Sequence, residues 1–497
     1  MTRSTRALAA LAGVLSAVAG LVAGSLTAAL LGSRQSPVVA VGSAFIDRTP
    51  PWLKDLAIQL FGVHDKTALR VGIIVVLLAV AALAGLLASW APVAGLVIAG
   101  GLALVAVLAA MSRPDAGTSD PLPSVVAGAV SVLVLWTLIN RLRQQPGPEG
   151  RRGFLQLSAG IALGTVAVGG LSRLVGGKRT AVAEARESLR LPLPSSLAAP
   201  AGVQADGAVP WATPNETFYR IDTALSVPLV APDDWQLRIH GMVDREITLS
   251  FADLVKRRVV HKWVTLCCVS NEVGGDLIGN ALWSGVLLKD LLAEAAPAAD
   301  ADAVLATSHD GWTCGTPLET MTDDRQSLLA FAMNGEPLPV EHGFPVRVVV
   351  PGLYGYVSAT KWVVDLEVSR FDRFDAYWTP RGWSELGPIK TASRIDRPRS
   401  EAKAGQVVVA GVAWHQHVGI SAVEVRVDGG PWQRATLAAD GGIDTWRQWH
   451  WTWDAPRGNH VLQVRAIDAE GNPQTEDEAP PAPDGATGLH TTNLKIS

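Results

Sequence analysis

The sequence predicts a multi-domain membrane protein, with an N-terminal α-helical transmembrane bundle, an α+β domain and a C-terminal immunoglobulin-like β-sandwich. Three observations predict this order. The 497 residues are 48% hydrophobic and only 18% charged, and their mean hydropathy is +0.23. The longest uncharged apolar stretches all lie before residue 173, and strand-like alternation begins after residue 400. A chain of this length is typical of about three domains.

The composition also excludes several classes of protein. So much apolar side chain buries a substantial core, which excludes a disordered chain. The net charge of −4 gives no support to nucleic-acid binding. Three cysteines are too few for a disulfide framework, a four-thiolate zinc site or an iron–sulfur cluster.

The transmembrane region is predicted over residues 1–180, with five helices at about 7–33, 71–89, 92–112, 121–140 and 153–172. A bilayer core needs about 20 apolar residues per helix. The charge-free run over residues 71–112 is too long for one helix and breaks before Pro92. No histidine lies within the five stretches, so the sequence offers no bis-histidine haem there. These helices are expected to anchor the protein or to dock a membrane partner.

Basic residues predict the orientation of this region. They precede the first stretch and fill the loop between the fourth and the fifth: Arg3, Arg6, Arg141, Arg143, Arg151 and Arg152. Because basic loops stay in the cytoplasm, five spans place everything after Lys178 outside the cytoplasmic membrane. Arg151 and Arg152 also resemble a twin-arginine export signal, or they only mark the cytoplasmic end of the fifth helix.

Residues 181–214 read as a short helix at 183–189 followed by an Ala- and Pro-rich linker. Residues 215–400 mix strands at 236–243, 346–350 and 361–366 with helices at 251–255 and 287–293, which is typical of an α+β domain. Ser250 is predicted to cap the helix at 251. Within residues 401–497, apolar and polar residues alternate over 407–414, 422–427, 446–453 and 461–467. Short strands at this spacing are typical of an immunoglobulin-like β-sandwich.

The first candidate site is the Gly-rich run over residues 265–280, which follows an apolar strand. Cys268, with His261 and Lys262 upstream, suits a thiolate that binds a metal or acts as a nucleophile. The alternative is that Cys267 and Cys268 are small buried hydrophobes or a vicinal disulfide.

The second candidate is the run over residues 342–352, which is followed by a small-residue loop up to Lys361. It places His342 and Arg347 at the two ends of a short turn, and a guanidinium there suits a phosphate. A surface ion pair is the alternative. His415 and His417 form a weaker candidate metal pair, because no third ligand is in view.

The runs Cys-Val-Ser-Asn, Gly-Gly-Asp-Leu-Ile-Gly-Asn and His-Gly-Phe-Pro-Val-Arg-Val-Val-Val-Pro-Gly resemble those of sulfite-oxidase-family molybdopterin oxidoreductases. The resemblance covers about residues 210–497. It implies an α+β sulfite-oxidase-type molybdopterin domain, with a C-terminal sandwich similar to that family's dimerisation domain. The N-terminal helices look like those of membrane-bound actinobacterial members.

The resemblance also implies site residues and a cofactor, molybdenum–molybdopterin. Cys268 would be the catalytic thiolate bound to molybdenum. The residues implied to bind the pterin and its phosphate are Asn215, Phe218, Tyr219, Thr313, His342, Arg347, Ser358, Thr360 and Lys361. Metal and pterin would supply the redox chemistry, and the protein would supply binding and orientation.

Two departures from the family pattern bear on the substrate. Glu272 and Val273 stand where sulfite oxidases have arginines, and Trp312 stands where they have an active-site tyrosine. A sulfite pocket needs positive charge, so a neutral S-oxide or N-oxide is at least as well supported. Basic residues expected to border the pocket are Arg381, Lys390 and Arg394.

The resulting hypothesis is a membrane-anchored enzyme outside the cytoplasm that catalyses two-electron oxygen-atom transfer on a small S- or N-containing substrate. Its expected partners are a separate redox protein, either a cytochrome or a membrane quinone-linked protein, and a second copy in a homodimer. Two alternatives remain open. One is a non-catalytic surface binding protein with a degenerate cofactor domain, and the other is a cysteine hydrolase that uses Cys268 and His342.

Overall fold

The computed structural model describes residues 3–31, 33, 35–50, 53, 60, 65–113, 116–144, 148–175 and 178–497. The chain divides into two compact units. The first comprises Met1–Ala181 with Thr223–Val227, and the second comprises Val182–Asp222 with Pro228–Ser497. Residues 228–497 therefore belong to one unit.

In the described part of the first unit the helices are α1 (Arg3–Leu31), α2 (Pro37–Arg48), α3 (Asp65–Ala88), α4 (Pro92–Met111), α5 (Leu122–Gln144) and α6 (Pro148–Val175). Helix α7 (Lys178–Ser188) begins in the first unit and ends in the second. Five of them, all but α2 and α7, are long and apolar enough to cross a membrane. They match the five predicted stretches, although residue 32 of the first stretch lies outside the described residues. Helix α2 was not predicted, and at 12 residues it is too short to span.

Glycines allow α1 and α3 to approach each other closely. A Cβ atom on Gly13 would lie 1.9 Å from the carbonyl oxygen of Ala81. A Cβ on Gly85 would lie 2.1 Å from the carbonyl oxygen of Ala9. Small residues at such crossings let helix backbones pack in the absence of a hydrophobic driving force.

We therefore expect Gly13→Val to destabilise the helical unit by about 2 kcal/mol, because the added side chain forces the two backbones apart. The matched control is Gly100→Val on α4, where a Cβ would meet nothing within 4 Å. Thermal unfolding of the full chain in detergent, followed by light scattering, measures both variants. Equal melting temperatures would contradict this account of the crossing.

The second unit begins with an α+β region, as predicted. Its strands are β1 (Gln236–Gly241), β2 (Ile247–Ser250), β3 (Val259–Cys267), β4 (Ile278–Leu287), β5 (Ala303–Ser308), β6 (Thr313–Pro317), β7 (Leu328–Met333), β8 (Glu336–Pro337), β9 (Arg347–Val349) and β10 (Val363–Ser369). Its helices are α8 (Phe251–Val255), α9 (Leu288–Ala295) and α10 (Leu318–Thr322). One sheet has the order β2-β1-β10-β5-β6, and another has the order β3-β4-β7-β8 with β9 on β7.

Local sequence accounts for several of these elements. Ser250 caps α8 in a capping box with Asp253, as predicted. Every residue of β4 is buried, because this strand lies between β3 and β7 at the centre of its sheet. Strand β9 is shorter than the predicted 346–350 but lies at the predicted place. The antiparallel pair β3–β4 thus holds the cysteine run at the edge of a buried sheet.

The C-terminal region is rich in β-sheet. Its strands are β11 (Ala392–Arg397), β12 (Glu401–Ala402), β13 (Gly405–Trp414), β14 (Ile420–Val427), β15 (Gln433–Arg434), β16 (Thr436–Leu437), β17 (Arg447–Ala455), β18 (Gly458–Asp468) and β19 (His490–Ile496). They form two sheets, β11-β13-β17-β16 and β12-β19-β18-β14-β15. Side chains from both sheets, among them Val409, Trp449, Val423 and Val464, share one buried cluster. All four predicted strands are present, and β11 begins before the predicted boundary at 401.

Candidate active site around Cys268

Cys268 stands directly after β3, at the start of a tight loop that leads to β4. Its N–H donates to the carbonyl of Leu277 at 2.9 Å, and its own carbonyl accepts from Asn271 N–H at 3.1 Å. The buried Asn271 side chain closes the loop by accepting from Leu277 N–H at 2.8 Å. The loop therefore fixes the cysteine from both sides.

The sulfur of Cys268 is buried but faces donors. Burial raises the pKa of this thiol, while Ser270, through its N–H and its hydroxyl, and the ammonium of Lys361 oppose the rise. These groups stabilise a negative sulfur. All three cysteines, Cys267, Cys268 and Cys314, are free thiols, so no vicinal disulfide forms.

His342 and Arg347 are buried, which makes the predicted alternative of a surface ion pair wrong. Gly343, at φ +110°, turns the chain between them. The guanidinium of Arg347 donates to the carbonyls of His342 at 3.1 Å and Ala359 at 3.3 Å, and it lies 4.9 Å from the Trp283 ring centroid.

Arg347 carries a charge that is buried away from solvent. Among residues 178–497, all of which are described, no carboxylate pairs with it. Burial accordingly lowers its pKa to about 10. An isolated buried cation is costly unless an anion joins it, so this position suits a phosphate.

An aromatic segment from the start of the second unit packs onto this turn. The Phe218 ring stacks on Tyr219 at 5.2 Å and meets the His342 ring edge-on at 5.6 Å. His342 Nε2 lies 3.3 Å from the backbone oxygen of Asn215. Burial, with Lys361 and Arg347 nearby, lowers the pKa of His342 to about 3, so the imidazole is neutral.

Tyr219 lies close enough to the cysteines to interact with them electrostatically. Burial raises the pKa of its phenol, Cys268 and Cys267 raise it further, and Arg347 lowers it. The side chain of Asn215 is engaged within the protein. Its amide bonds to Glu336 Oε1 at 2.5 Å and to Asn334 at 2.9 Å, so only its backbone carbonyl turns toward the predicted site.

The loop before β10 supplies the remaining predicted residues. Ser358 Oγ donates within the loop, to the carbonyls of Leu353 and Tyr354. Thr360 Oγ1 is buried without a nitrogen or oxygen partner, beside the Cys314 thiol. Lys361 Nζ pairs with Asp222 Oδ2 at 2.8 Å.

Thr313 lies apart from this cluster. Its hydroxyl accepts from Tyr377 N–H at 3.0 Å, whereas its neighbour Cys314 contacts Thr360. Sequence reasoning missed Cys314 and Asp222. Nothing in the local pattern signals either one, because their contacts come from residues far along the chain.

The three cations predicted to border a substrate pocket all contact carboxylates, carbonyls or an aromatic ring of the protein. Arg394 bonds to Asp396 Oδ1 and to the carbonyl of Gly275, each at 2.6 Å. Lys390 Nζ pairs with Asp484 Oδ1 at 2.8 Å. Arg381 lies 3.8 Å from the Tyr377 ring centroid and donates to its carbonyl.

The two histidines of the weak candidate do not face one ligand. His415 Nδ1 meets Thr391 Oγ1 at 2.9 Å. His417 lies past the end of β13 and contacts Asp444. His417 does lie near Asp323 and Asp324, but Asp323 is already paired with Arg325.

The C-terminal region also supports the cysteine loop through His490. Its Nδ1 accepts from Ile395 N–H at 2.9 Å, and a Cβ on Gly274 would lie 2.2 Å from its ring. Burial, with Arg394 nearby, lowers the pKa of His490 to about 4.

We expect this histidine to make the second unit less stable in acid. The unfolded pKa is about 6.5, so protonation favours unfolding as the pH falls from 6.5 toward 4, by about 2 kcal/mol after allowance for partial exposure. Tryptophan fluorescence reports on this unit, because 14 of the 17 tryptophans lie beyond residue 200. Thermal unfolding at pH 7.5 and pH 5 is to be compared with His490→Gln, and an equal pH dependence would contradict the assignment.

Taken together, the site consists of a thiol near donors and a buried guanidinium that pairs with no carboxylate among residues 178–497, both held on an α+β domain. A site of this kind suits an anionic, metal-containing cofactor. Residues 224–378 match the family model described as "Oxidoreductase molybdopterin binding domain".

Curated proteins of the same kind match beyond these residues. Mouse mitochondrial sulfite oxidase is 31% identical over 319 residues, 54% of this chain and 58% of that protein. Chicken sulfite oxidase is 30% identical over 324 residues, 54% of this chain and 69% of that protein. An "uncharacterized oxidoreductase YuiH" of Bacillus subtilis is 34% identical over 153 residues, 31% of this chain and 74% of that protein.

The fold agrees with these matches. The sulfane dehydrogenase SoxCD of Paracoccus pantotrophus superposes with a TM-score of 0.51 at 24% identity, covering 58% of this chain and 84% of that one. The chain belongs to the sulfite-oxidase family of molybdopterin-dependent oxidoreductases. This confirms the predicted family, the enzyme class and the cofactor, molybdenum–molybdopterin.

The residues present fit that cofactor. The thiol of Cys268 interacts with the N–H and hydroxyl of Ser270 and with the charge of Lys361, and Arg347 pairs with no carboxylate among residues 178–497. Thr360 Oγ1 is buried without a nitrogen or oxygen hydrogen-bond partner. A pterin phosphate would satisfy the last two groups, and a metal would satisfy the first.

Proposed function

We propose that this protein catalyses two-electron oxygen-atom transfer on a small S- or N-containing substrate, at a site built around Cys268. The observation that carries the proposal is the pairing of a donor-framed buried thiol with the uncompensated guanidinium of Arg347 on one domain. The bound cofactor would supply the redox chemistry and the oxygen transfer.

Each residue of the site has a proposed part. Cys268 would hold the molybdenum, and Ser270 and Lys361 would stabilise its thiolate. Arg347 would bind the pterin phosphate. The neutral ring of His342, held by the Asn215 carbonyl and packed on Phe218, would be a hydrogen-bonding partner of the pterin.

The surroundings of the cysteine loop favour a neutral substrate over sulfite. Glu272 and Val273, at the positions of the family's arginines, are exposed, and Glu272 forms no ion pair with any described residue. Lys390 and Arg394 are already paired with carboxylates. A neutral S-oxide or N-oxide needs no cation, so it suits this charge balance better.

The location and partners are proposed on the sequence and the apolar helices. Five helices of spanning length support a multipass anchor in the cytoplasmic membrane, and the arginine positions support an extracytoplasmic catalytic domain. A separate cytochrome or a quinone-linked membrane protein would exchange electrons with the site. Residues 401–497 would form an immunoglobulin-like, dimerisation-type domain, after a molybdopterin domain at 215–400.

Cofactor content and turnover test the proposal. The full chain, made in cells that synthesise the molybdenum cofactor, should contain about one molybdenum and one pterin and should reduce dimethyl sulfoxide with an artificial electron donor. A folded protein free of metal and pterin would favour the alternative of a non-catalytic binding protein. Cofactor-loaded protein that oxidises sulfite but reduces no neutral oxide would contradict the proposed neutral substrate.

A further inference from the structure

A loop of the C-terminal region lies close to the segment that contacts the cysteine site. Residues 479–488 form a closed loop, because Ala479 and Thr487 exchange backbone hydrogen bonds at 3.1 Å in both directions. Thr487 Oγ1 also donates to the Asp477 carbonyl at 2.7 Å. We refer to this segment as the 479–488 loop.

The 479–488 loop is fixed by groups outside it. Lys390 Nζ bonds to Asp484 Oδ1 at 2.8 Å and to the carbonyl of Gly485 at 3.0 Å. Ser384 N–H donates to the Pro483 carbonyl at 3.0 Å. Gln474 Nε2 donates to the carbonyl of Gly488 at 2.8 Å. The Asp484 carboxylate is therefore held at one place.

The side chain of Tyr354 lies between the 479–488 loop and the cysteines. A Cβ on Gly485 would lie 2.5 Å from the Tyr354 hydroxyl, so the loop packs directly on the phenol. Burial raises the pKa of Tyr354, and Cys267, Asp484 and Cys268 raise it further. The next residue, Gly355, donates its N–H to the carbonyl of Cys267 at 3.0 Å.

A small cleft runs between the cysteine loop and the C-terminal region. Cys267, Glu272 and Gly274 line one side, and Tyr354, Ser393 and Gly488 line the other. Lys390 directly precedes and Arg394 directly follows the lining residues at 391–393. Lys390 is paired with Asp484 and Arg394 with Asp396, whereas the lining residue Glu272 has no ion pair among the described residues. An oxyanion that approaches here meets no free ammonium or guanidinium among these groups.

We propose that Asp484 is a specificity-determining residue, which withholds the Lys390 ammonium from anionic substrates and so restricts the site to neutral S-oxides or N-oxides. This rests on the proposed function and names the residue that sets the charge class of its substrate. The physical reason is competition, since the Asp484 carboxylate, 2.8 Å from the ammonium, already offsets the positive charge that would attract another anion.

Replacing the carboxylate by an amide, Asp484→Asn, tests the proposal. Sulfate is the probe, titrated into the full chain by calorimetry. We expect it to bind about fivefold tighter to the variant, and the gain should shrink as sodium chloride is raised. In the loaded enzyme, the ratio of kcat/KM for sulfite to that for dimethyl sulfoxide should rise by a similar factor.

Two further variants make the test specific. Asp477→Asn removes the same charge just before the loop, at a residue that is not paired with Lys390. It should leave the sulfate affinity and the kcat/KM ratio at their wild-type values. Combining Asp484→Asn with Lys390→Gln should abolish the gain, because no ammonium remains to be released. Because the Asp484 side chain is 47% exposed, we expect Asp484→Asn to fold normally. Unchanged tryptophan fluorescence would verify this.

Several results would overturn the proposal. Equal sulfate affinity in Asp484→Asn and Asp477→Asn would show that no ammonium was withheld. A fivefold loss of sulfate affinity in Lys390→Gln alone would show that Lys390 already serves anions in the wild type. Failure of the proposed function can be told apart from failure of this proposal. A cofactor-loaded enzyme that reduces no S-oxide or N-oxide would contradict the proposed function, whereas the sulfate titration would still report on Asp484.

Discussion

Cys268→Ser is expected to abolish molybdenum retention and turnover while leaving the fold intact. Serine matches the size of cysteine but replaces a soft thiolate with a hydroxyl that stays protonated at neutral pH. The backbone bonds that fix the loop, from Cys268 N–H to Leu277 and from Asn271 N–H to Cys268, are unaffected. We expect at least about a 100-fold loss of metal affinity, measured as molybdenum per chain by mass spectrometry.

The neighbouring residue provides the matched control. Cys267 is only 2% exposed and ends β3, and its thiol faces the backbone carbonyl of Cys268 at 3.5 Å. We expect Cys267→Ser to keep its molybdenum. Equal losses in both variants would contradict the assignment. Stoichiometric labelling of Cys268 by a thiol-reactive substrate analogue in metal-replete cells would instead support the cysteine hydrolase.

Arg347→Met is expected to have opposite effects on cofactor retention and on stability. Burial without a carboxylate lowers the pKa of this guanidinium from its ordinary value of 12.5 to about 10. Removing the charge relieves about 3 kcal/mol, whereas the three lost hydrogen bonds to carbonyls, one of them long at 3.5 Å, together cost about 2 kcal/mol. The cofactor-free protein should therefore become slightly more stable, by about 1 kcal/mol.

Cofactor retention should fall in the same variant, because a pterin phosphate loses its guanidinium fork. We expect pterin per chain, measured by fluorescence after oxidation, to drop by at least about tenfold. Arg325→Met is the matched control, since Arg325 is paired with Asp323 and lies outside the proposed site. Full pterin retention in Arg347→Met would remove Arg347 from the phosphate site.

The elements of the fold that could be predicted are those that local composition or a short motif determines. Uncharged stretches identify the five long helices, because a bilayer core imposes both length and apolarity. The capped helix at Ser250 follows from a four-residue motif. Strand β19 was missed because its polar residues, such as Thr491 and Thr492, alternate with few apolar ones, and pairing with β18 stabilises it.

The candidate site was predictable where residues are close in sequence. The runs around Cys268 and Arg347 each form a continuous segment, and each takes its conformation from local turns. Asp222, Cys314 and Asp484 depend on contacts with residues far along the chain, and no single run signals them. The side chains of Asn215 and Thr313 are likewise engaged by distant residues, which no local pattern signals, and their roles in cofactor binding stay predictions.

The support that Arg394 and His490 give to the cysteine loop has a consequence for biosynthesis. Gly275 is held by Arg394, and Gly274 packs on His490, more than 200 residues later in the chain. The ribosome completes the loop long before it makes the residues that fix its outer side. We therefore expect the loop to reach its final conformation only after the last strand has been made, because until then Gly274 lacks its contact with His490.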